Sequence, residues 1–185
     1  DVSACALEAC GDKFEGVPDL EIHPVVGSYL NGLASALARR TPGQDLLLLF
    51  LGGTIGNFSR EDLPDFLGDL RRMLKQGDRL LLGADLEKTP HLLQRAYDDP
   101  MGVTAAFNKN ILAHLNSAFR GDFDLALFEH EAVYNRNERR IEMYLRSAAR
   151  QAVRLHDLDL RITLEAGERI RTELSHKFQP EELRR

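Results

Sequence analysis

An unbroken apolar run, Leu46-Leu47-Leu48-Leu49-Phe50-Leu51, stops on Gly52-Gly53-Thr54-Ile55-Gly56-Asn57-Phe58, and this junction constrains the fold more than any other stretch. A short apolar run bounded by turn residues predicts a strand buried on both faces, as in the middle of a parallel sheet. Gly52, Gly53 and Gly56 supply a flexible turn in which backbone can approach a ligand closely. Ser59, Asp62 three residues on, and Leu63, Phe66, Leu67 and Leu70 at helical spacing predict a capped helix from about Arg60 to Lys75. Strand, turn and helix together place Asn57 at the carboxyl end of a central strand, where open α/β sheets bind ligands. A tight βα turn without a ligand has the same pattern, and this stretch alone does not separate the two.

The flanking segments extend the alternation. Asp1-Val2-Ser3 reads as a strand end followed by a capped helix from Ala4 to about Cys10. Leu20 to Gly27 is a strand candidate, moved toward a sheet edge by Pro24. Tyr29 to Arg40 reads as a helix, and Gln76-Gly77-Asp78 turns the chain into a further buried strand, Arg79 to Asp85. Alternating strands and helices predict an α/β fold with a parallel, doubly wound sheet. Residues 1–88 form this core.

Residues 89–185 change character. Thr89-Pro90 starts a helix that carries Tyr97 near its end, and Asp98 to Gly102 breaks it. Thr104 to Phe119 is a second helix presenting Phe107, Ile111, Leu115 and Ala118. Strand patterns follow at Glu129 to Tyr134, at Ile141, Met143 and Leu145, and at Leu158, Leu160, Ile162 and Leu164. Glu165-Ala166-Gly167-Glu168 is expected to close a hairpin onto Ile170 to Leu174. This half is a β-rich elaboration of the core.

Composition narrows the partners. The net charge is −5 and there is no basic cluster, which argues against nucleic acid and against an anionic membrane surface. No stretch has the length and apolarity of a membrane span, and no signal peptide is visible. Cys5 and Cys10, close together on one helix, read as reduced thiols, and the six histidines lack metal-ligand spacing, so no metal is expected. A cytoplasmic monomer is the expectation.

Asp1, the strand end Val25-Val26-Gly27 and the turn Gly52–Asn57 are spaced like the cofactor-side loops of a Rossmann-like methyltransferase. Longer motifs say more. Phe50 to Phe58, Ala96-Tyr97-Asp98-Asp99-Pro100-Met101-Gly102 through Asn110, Ile141-Glu142-Met143 and Thr172-Glu173-Leu174-Ser175-His176-Lys177-Phe178 occur in that order. Together they resemble the histidine-specific S-adenosylmethionine-dependent methyltransferase family, whose best-known member trimethylates L-histidine to hercynine on the way to ergothioneine. The resemblance runs the length of the chain.

The resemblance implies roles for named residues. Asn57 and Tyr97 match the pair that holds the substrate carboxylate, Glu173 and Ser175 the pair that reads the imidazole, and Met143 a residue lining the same pocket. The cofactor implied is S-adenosyl-L-methionine. Asp1 matches the aspartate that takes its ribose hydroxyls, and Gly52 opens the glycine-rich turn on the cofactor side. Ser28-Tyr29 stands where the family commonly has an acidic residue and phenylalanine against the adenine; a serine hydroxyl is the weaker acceptor. The family's glycine-rich cofactor loop would precede Asp1. The chain is therefore expected to be the C-terminal part of a longer enzyme and, alone, to bind the cofactor poorly.

Each residue also has a plainer reading. Tyr97 could pack at a helix end, Met143 could belong to the core, Glu173 could pair with Arg169 or Arg171, and Asp98 or Asp99 could cap the next helix. A related methyltransferase acting on another amino acid or small amine, and a catalytically silent binding domain, stand beside the histidine reading. The chemistry suits the histidine reading. Methyl transfer to an amine needs positioning more than acid–base work. Neutral donors such as Asn57 and Tyr97 hold a carboxylate without a formal charge near that amine, and a carboxylate such as Glu173 accepts from ring N–H groups.

Overall fold

A computed structural model describes residues 1–184, and the chain divides into two units, Asp1–Leu49 with Arg60–Leu81 and Phe50–Ser59 with Leu82–Arg185. In the first unit the side chain of Ser3 accepts from the Ala6 N–H and caps α1 (Ala4–Lys13). Ser28 does the same for α2 (Tyr29–Ala38), accepting from the Asn31 N–H at 3.4 Å. Helix α3 (Asp62–Met73) starts two residues later than its sequence pattern indicates and has Glu61, not Ser59, at its cap position.

Strands β1 (Leu47–Phe50) and β2 (Arg79–Leu82) form a two-stranded sheet. The Arg79 N–H donates to the Leu46 carbonyl and the Gly83 N–H to the Phe50 carbonyl, both at 2.8 Å. Both partners advance by four residues, so the strands run parallel, as expected. Burial on both faces is not observed. Leu47 is 57% and Leu49 53% exposed, and Leu80 and Leu81 are exposed as well. Leu47 and Leu49 share one face of β1, whereas Leu80 and Leu81 lie on opposite faces of β2, so β2 is little covered on either side. Leu20 to Gly27 forms no strand: the Gly27 N–H donates to the Asp1 carbonyl, and the rest of the segment stays irregular around Pro24. The loop between α3 and β2 is tied down by Asp78, whose carboxylate pairs with Arg40 and accepts from the Leu46 and Lys75 N–H groups, each at 2.9 Å.

The second unit holds α4 (Pro90–Tyr97), α5 (Val103–Phe119) and five strands: β3 (Phe128–Asn135), β4 (Arg140–Ser147), β5 (Gln151–Leu155), β6 (Leu160–Leu164) and β7 (Arg169–His176). Strands β3, β4 and β7 make an antiparallel sheet with β4 in the centre, and β5 pairs with β6. The hairpin expected between β6 and β7 is absent. Backbone of the Glu165–Glu168 turn bonds instead to Ser147 at the end of β4, through Gly167 N–H to Ser147 O and Ser147 N–H to Glu168 O. That delivers β7 to β4. Strand β5 has little alternation to announce it and finds its partner in β6.

Helix α5 packs Leu115 on the core as expected, but its N-terminal half is turned by one residue from the expected face. Asn108 and Leu112 are buried, whereas Phe107 is 68% exposed. Burying Asn108 leaves no amide stranded, because its Nδ2 meets His130 Nδ1 at 2.9 Å and the Tyr144 carbonyl at 3.0 Å. Leu112 joins Phe123, Phe128, Leu145, Val153, Leu155 and Leu164 in one core cluster, and Leu93, Ala132, Ile141 and Met143 make another. Asp99 accepts from the Val103 and Thr104 N–H groups at 3.0 and 2.7 Å and caps α5, the plainer of its readings.

Candidate active site

Four segments of the second unit converge. Gly52 and Gly53 both have left-handed backbone, with φ of 75° and 72°, and after them the chain winds into a 3-10 turn, Thr54–Asn57. Gly56 fixes where that turn lies. A Cβ there would stand 2.7 Å from the His176 carbonyl oxygen, so only glycine lets the turn sit this close to β7. Tyr97 is the last residue of α4. Pairing of β7 with β4 slips between Met143 and Tyr144: Met143 faces Glu173 and Tyr144 faces Arg171, leaving Thr172 as an extra residue whose hydroxyl donates to the Met143 carbonyl at 3.1 Å. Such a bulge re-aims the side chains after it. Glu173 and Ser175 follow on one face of the strand.

The result is a cavity of about 450 Å³ whose walls include Gly52, Asn57, Asp85, Tyr97, Glu173 and Ser175. All the sequence-predicted carboxylate and imidazole readers thus border one space. Met143, 2% exposed, belongs mainly to the core, and with Glu173 it also lines a second cavity of about 330 Å³ walled by Phe107, Ile111 and His114. The Tyr97 hydroxyl lies 2.9 Å from Ser175 Oγ. Burial pushes the Glu173 carboxyl up, and the positive charge of Lys177 partly offsets this.

Lys177 and Asp85 were not singled out from the sequence. The Lys177 side chain is fully buried, and its Nζ donates to Tyr97 Oη and Ser175 Oγ, each at 2.8 Å, and pairs with Asp85 Oδ2 at 3.0 Å. It also lies 4.6 Å from the centre of the Tyr97 ring. Burial pushes the Asp85 carboxyl up, but hydrogen bonds from Lys88 and Lys177 outweigh it and leave the group below its ordinary value. A signal was present, since Lys177 continues the alternation of Glu173 and Ser175, and Asp85 is an acidic residue just past a strand end.

The remaining predicted residues belong to the first unit. Asp1 uses a carboxylate oxygen to accept from the Ser3 N–H at 2.8 Å, and it borders a cavity of about 660 Å³ with Pro24, Val25, Leu37 and Leu46. The Ser28 hydroxyl caps α2, and the Tyr29 ring meets Phe66 edge-on with centroids 6.2 Å apart. Among the described residues no group of His, Cys, Asp and Glu could hold a metal ion, and no helix is long and apolar enough to cross a membrane.

Comparison with known proteins gives the chain named relatives. The chain is 45% identical over 184 residues to the histidine N-alpha-methyltransferase of Mycolicibacterium smegmatis, and 43% identical over 185 residues to that of Mycobacterium tuberculosis. In both cases the match takes in 98% of this chain and 56% of the relative, so the chain spans just over half the length of these curated relatives. The L-tryptophan methyltransferase of Psilocybe serbica is 33% identical over 185 residues, 95% of this chain and 50% of that protein. Residues 1–185 match the profile described as "Histidine-specific methyltransferase, SAM-dependent", and the chain belongs to that family.

Proposed function

We propose that the protein is an S-adenosylmethionine-dependent histidine Nα-methyltransferase that trimethylates L-histidine to hercynine for ergothioneine synthesis. The observation that carries this reading is the convergence of Asn57, Tyr97, Glu173 and Ser175 on one cavity. Relatives named for histidine methylation support it. In this reading residues 1–88 form a Rossmann-like core and residues 89–185 bind substrate, in a cytoplasmic, monomeric enzyme.

The amide of Asn57 and the hydroxyl of Tyr97 donate to the substrate carboxylate. Glu173 accepts from an imidazole N–H, an interaction that strengthens as the ring becomes cationic, while Ser175 meets the other ring nitrogen and Met143 packs against the ring. Fixing both ends leaves the α-amine oriented for attack, which is the main service such a site performs. S-adenosylmethionine, when bound, supplies an electrophilic methyl group on a sulfonium. The residues that fit that cofactor include Gly52 and Gly53, which border the cavity with left-handed backbone and put no side chain into it. Asp1, Ser28 and Tyr29 are the further residues that the family pattern assigns to it.

A second reading is methylation of a larger aromatic amino acid. It is favoured by the tryptophan-methylating relative and by the apolar cavity beyond Glu173 lined by Phe107, Ile111 and Met143. Incubating the full-length protein with S-adenosylmethionine and either L-histidine or L-tryptophan separates the two. Mass spectrometry is expected to show successive methylation of histidine up to the trimethylated product. A kcat/KM for tryptophan equal to or above that for histidine would overturn the histidine reading.

A further inference from the structure

The proton count around Lys177 leads beyond the roles given above. An ammonium is a donor only, and among the described residues Lys177 Nζ donates to Tyr97 Oη at 2.8 Å and Ser175 Oγ at 2.8 Å and pairs with Asp85 Oδ2 at 3.0 Å. Both hydroxyl oxygens therefore accept from the same cation. They also lie 2.9 Å from each other, so one hydroxyl proton occupies the bond between them. Two hydroxyls carry two protons, and one is left to point into the cavity that both residues line. If Ser175 donates to Tyr97, then Tyr97 donates outward and Ser175 offers a lone pair; if Tyr97 donates to Ser175, the roles reverse. The two hydroxyls cannot both donate to a ligand in this arrangement.

We propose that Lys177, neutralised by Asp85, is a positioning residue that couples the two ends of the substrate site by forcing Tyr97 and Ser175 to share one outward proton. The proposal rests on the reading of Tyr97 as a carboxylate donor and Ser175 as an imidazole partner. An anionic carboxylate at Tyr97 accepts a hydrogen bond from the one outward hydroxyl proton, which leaves Ser175 donating to Tyr97 and offering a lone pair to the ligand. Ser175 and Glu173 then present two acceptors to the ring, an arrangement that selects a ring bearing N–H on both nitrogens. Recognition of the carboxylate thereby sets what the far end of the cavity accepts. Full burial of the Lys177 side chain beside an aspartate is what makes the arrangement rigid, because an uncompensated cation there would be costly to keep.

The test uses the full-length protein and compares histidine with histamine, which lacks the carboxylate, by the ratio of kcat/KM. Tyr97→Phe is expected to lower the histidine-to-histamine ratio about tenfold or more, the scale of one lost hydrogen bond to a charged group. Lys177→Met is expected to lower the ratio comparably, mainly through KM for histidine. Adding Tyr97→Phe to it should change the ratio little further, because both substitutions break one coupled unit. A Lys177→Met protein that loses activity on histidine and histamine alike, while Tyr97→Phe still shifts the ratio, overturns the coupling and leaves the carboxylate reading standing. A ratio unmoved by Tyr97→Phe overturns the carboxylate reading and the coupling with it. Should Lys177→Met fail to fold, Lys177→Gln is read in the same way. Lys177→Arg keeps a cation with several donors and is expected to hold the ratio within about threefold of wild type; a fall as deep as that of the neutral variants overturns the proposal.

Discussion

Tyr97 carries the sharpest prediction at the scale of a single residue. Its hydroxyl borders the cavity and is held by Ser175 and Lys177, so removing it deletes a donor without opening a large void. In Tyr97→Phe the dissociation constant for histidine is expected to rise about tenfold or more, from a loss of roughly 1.5–3 kcal/mol for a hydrogen bond to a charged acceptor. Isothermal titration of the full-length protein measures it, and an unchanged constant counts against the assignment. Glu173 predicts a change of preference, not of overall rate. In the proposed reading Glu173→Ala is expected to leave imidazole N–H groups unpaired, at a cost of roughly 1–3 kcal/mol, whereas phenylalanine has no such group to lose. The ratio of kcat/KM for histidine over phenylalanine or tryptophan is expected to shrink, and an equal loss on all three removes Glu173 from the specificity role. Of the plainer readings of Glu173, the pair with Arg169 is not what forms: Arg169 pairs with Glu131 and lies over the Tyr144 ring.

Among the elements, the 3-10 turn at Thr54–Asn57 and strand β7 stand or fall together. Gly56 is the contact point, and a methyl group there would press on the backbone of His176, which cannot swing aside as a flexible side chain can. Gly56→Ala is expected to destabilise the fold by about 1–3 kcal/mol through overpacking, and to weaken histidine binding further by shifting Asn57 away from β7. Thermal unfolding and titration on the same sample check both parts, and a variant with wild-type melting and affinity contradicts the close approach. The two glycines before it show how far such an element is legible in sequence. Gly52-Gly53 announced a turn, but the compact 3-10 winding of Thr54–Asn57 depends on having β7 to lie against.

For the molecule as a whole, acid is the informative stress. The Arg40 guanidinium, with backbone N–H groups of Lys75 and Leu46, holds the Asp78 carboxyl well below the usual carboxylate range. Backbone and side-chain hydrogen bonds from Thr104, then the Val103 N–H, hold Asp99 at about 2. Both folded-state values lie below the unfolded ones, so the folded chain binds fewer protons there. Their contribution is complete above about pH 4 and is lost as pH falls through the folded values. The melting temperature is expected to drop steeply below about pH 4. In Asp78→Asn it should be lower at neutral pH and depend less on pH across that acid range, as followed by circular dichroism. A curve for the variant that runs parallel to wild type would remove Asp78 from the acid response. Because the chain divides into two units, unfolding is best followed with a probe in each.

What the sequence determined by itself is local. Ser3 and Ser28 cap helices, Pro90 opens one, Asp99 caps another and Gly102 precedes it with left-handed backbone, because each of these acts through its own neighbours in the chain. The alternation of Ile141, Met143 and Leu145 likewise marked a core-facing strand, with all three buried. Pairing partners were a different matter. Nothing within Leu160–Leu164 says that it bonds to β5 and not to β7, since alternation specifies a face and not a neighbour. The burial of β1 could not be read from its leucines, because how much a strand buries depends on what covers its two faces. Nor does the spacing of Glu173, Ser175 and Lys177 state that the lysine is buried among Tyr97, Ser175 and Asp85, drawn from three separate segments. A buried cation exists only where distant chain segments bring its acceptors to it, and that was decided by the tertiary structure alone.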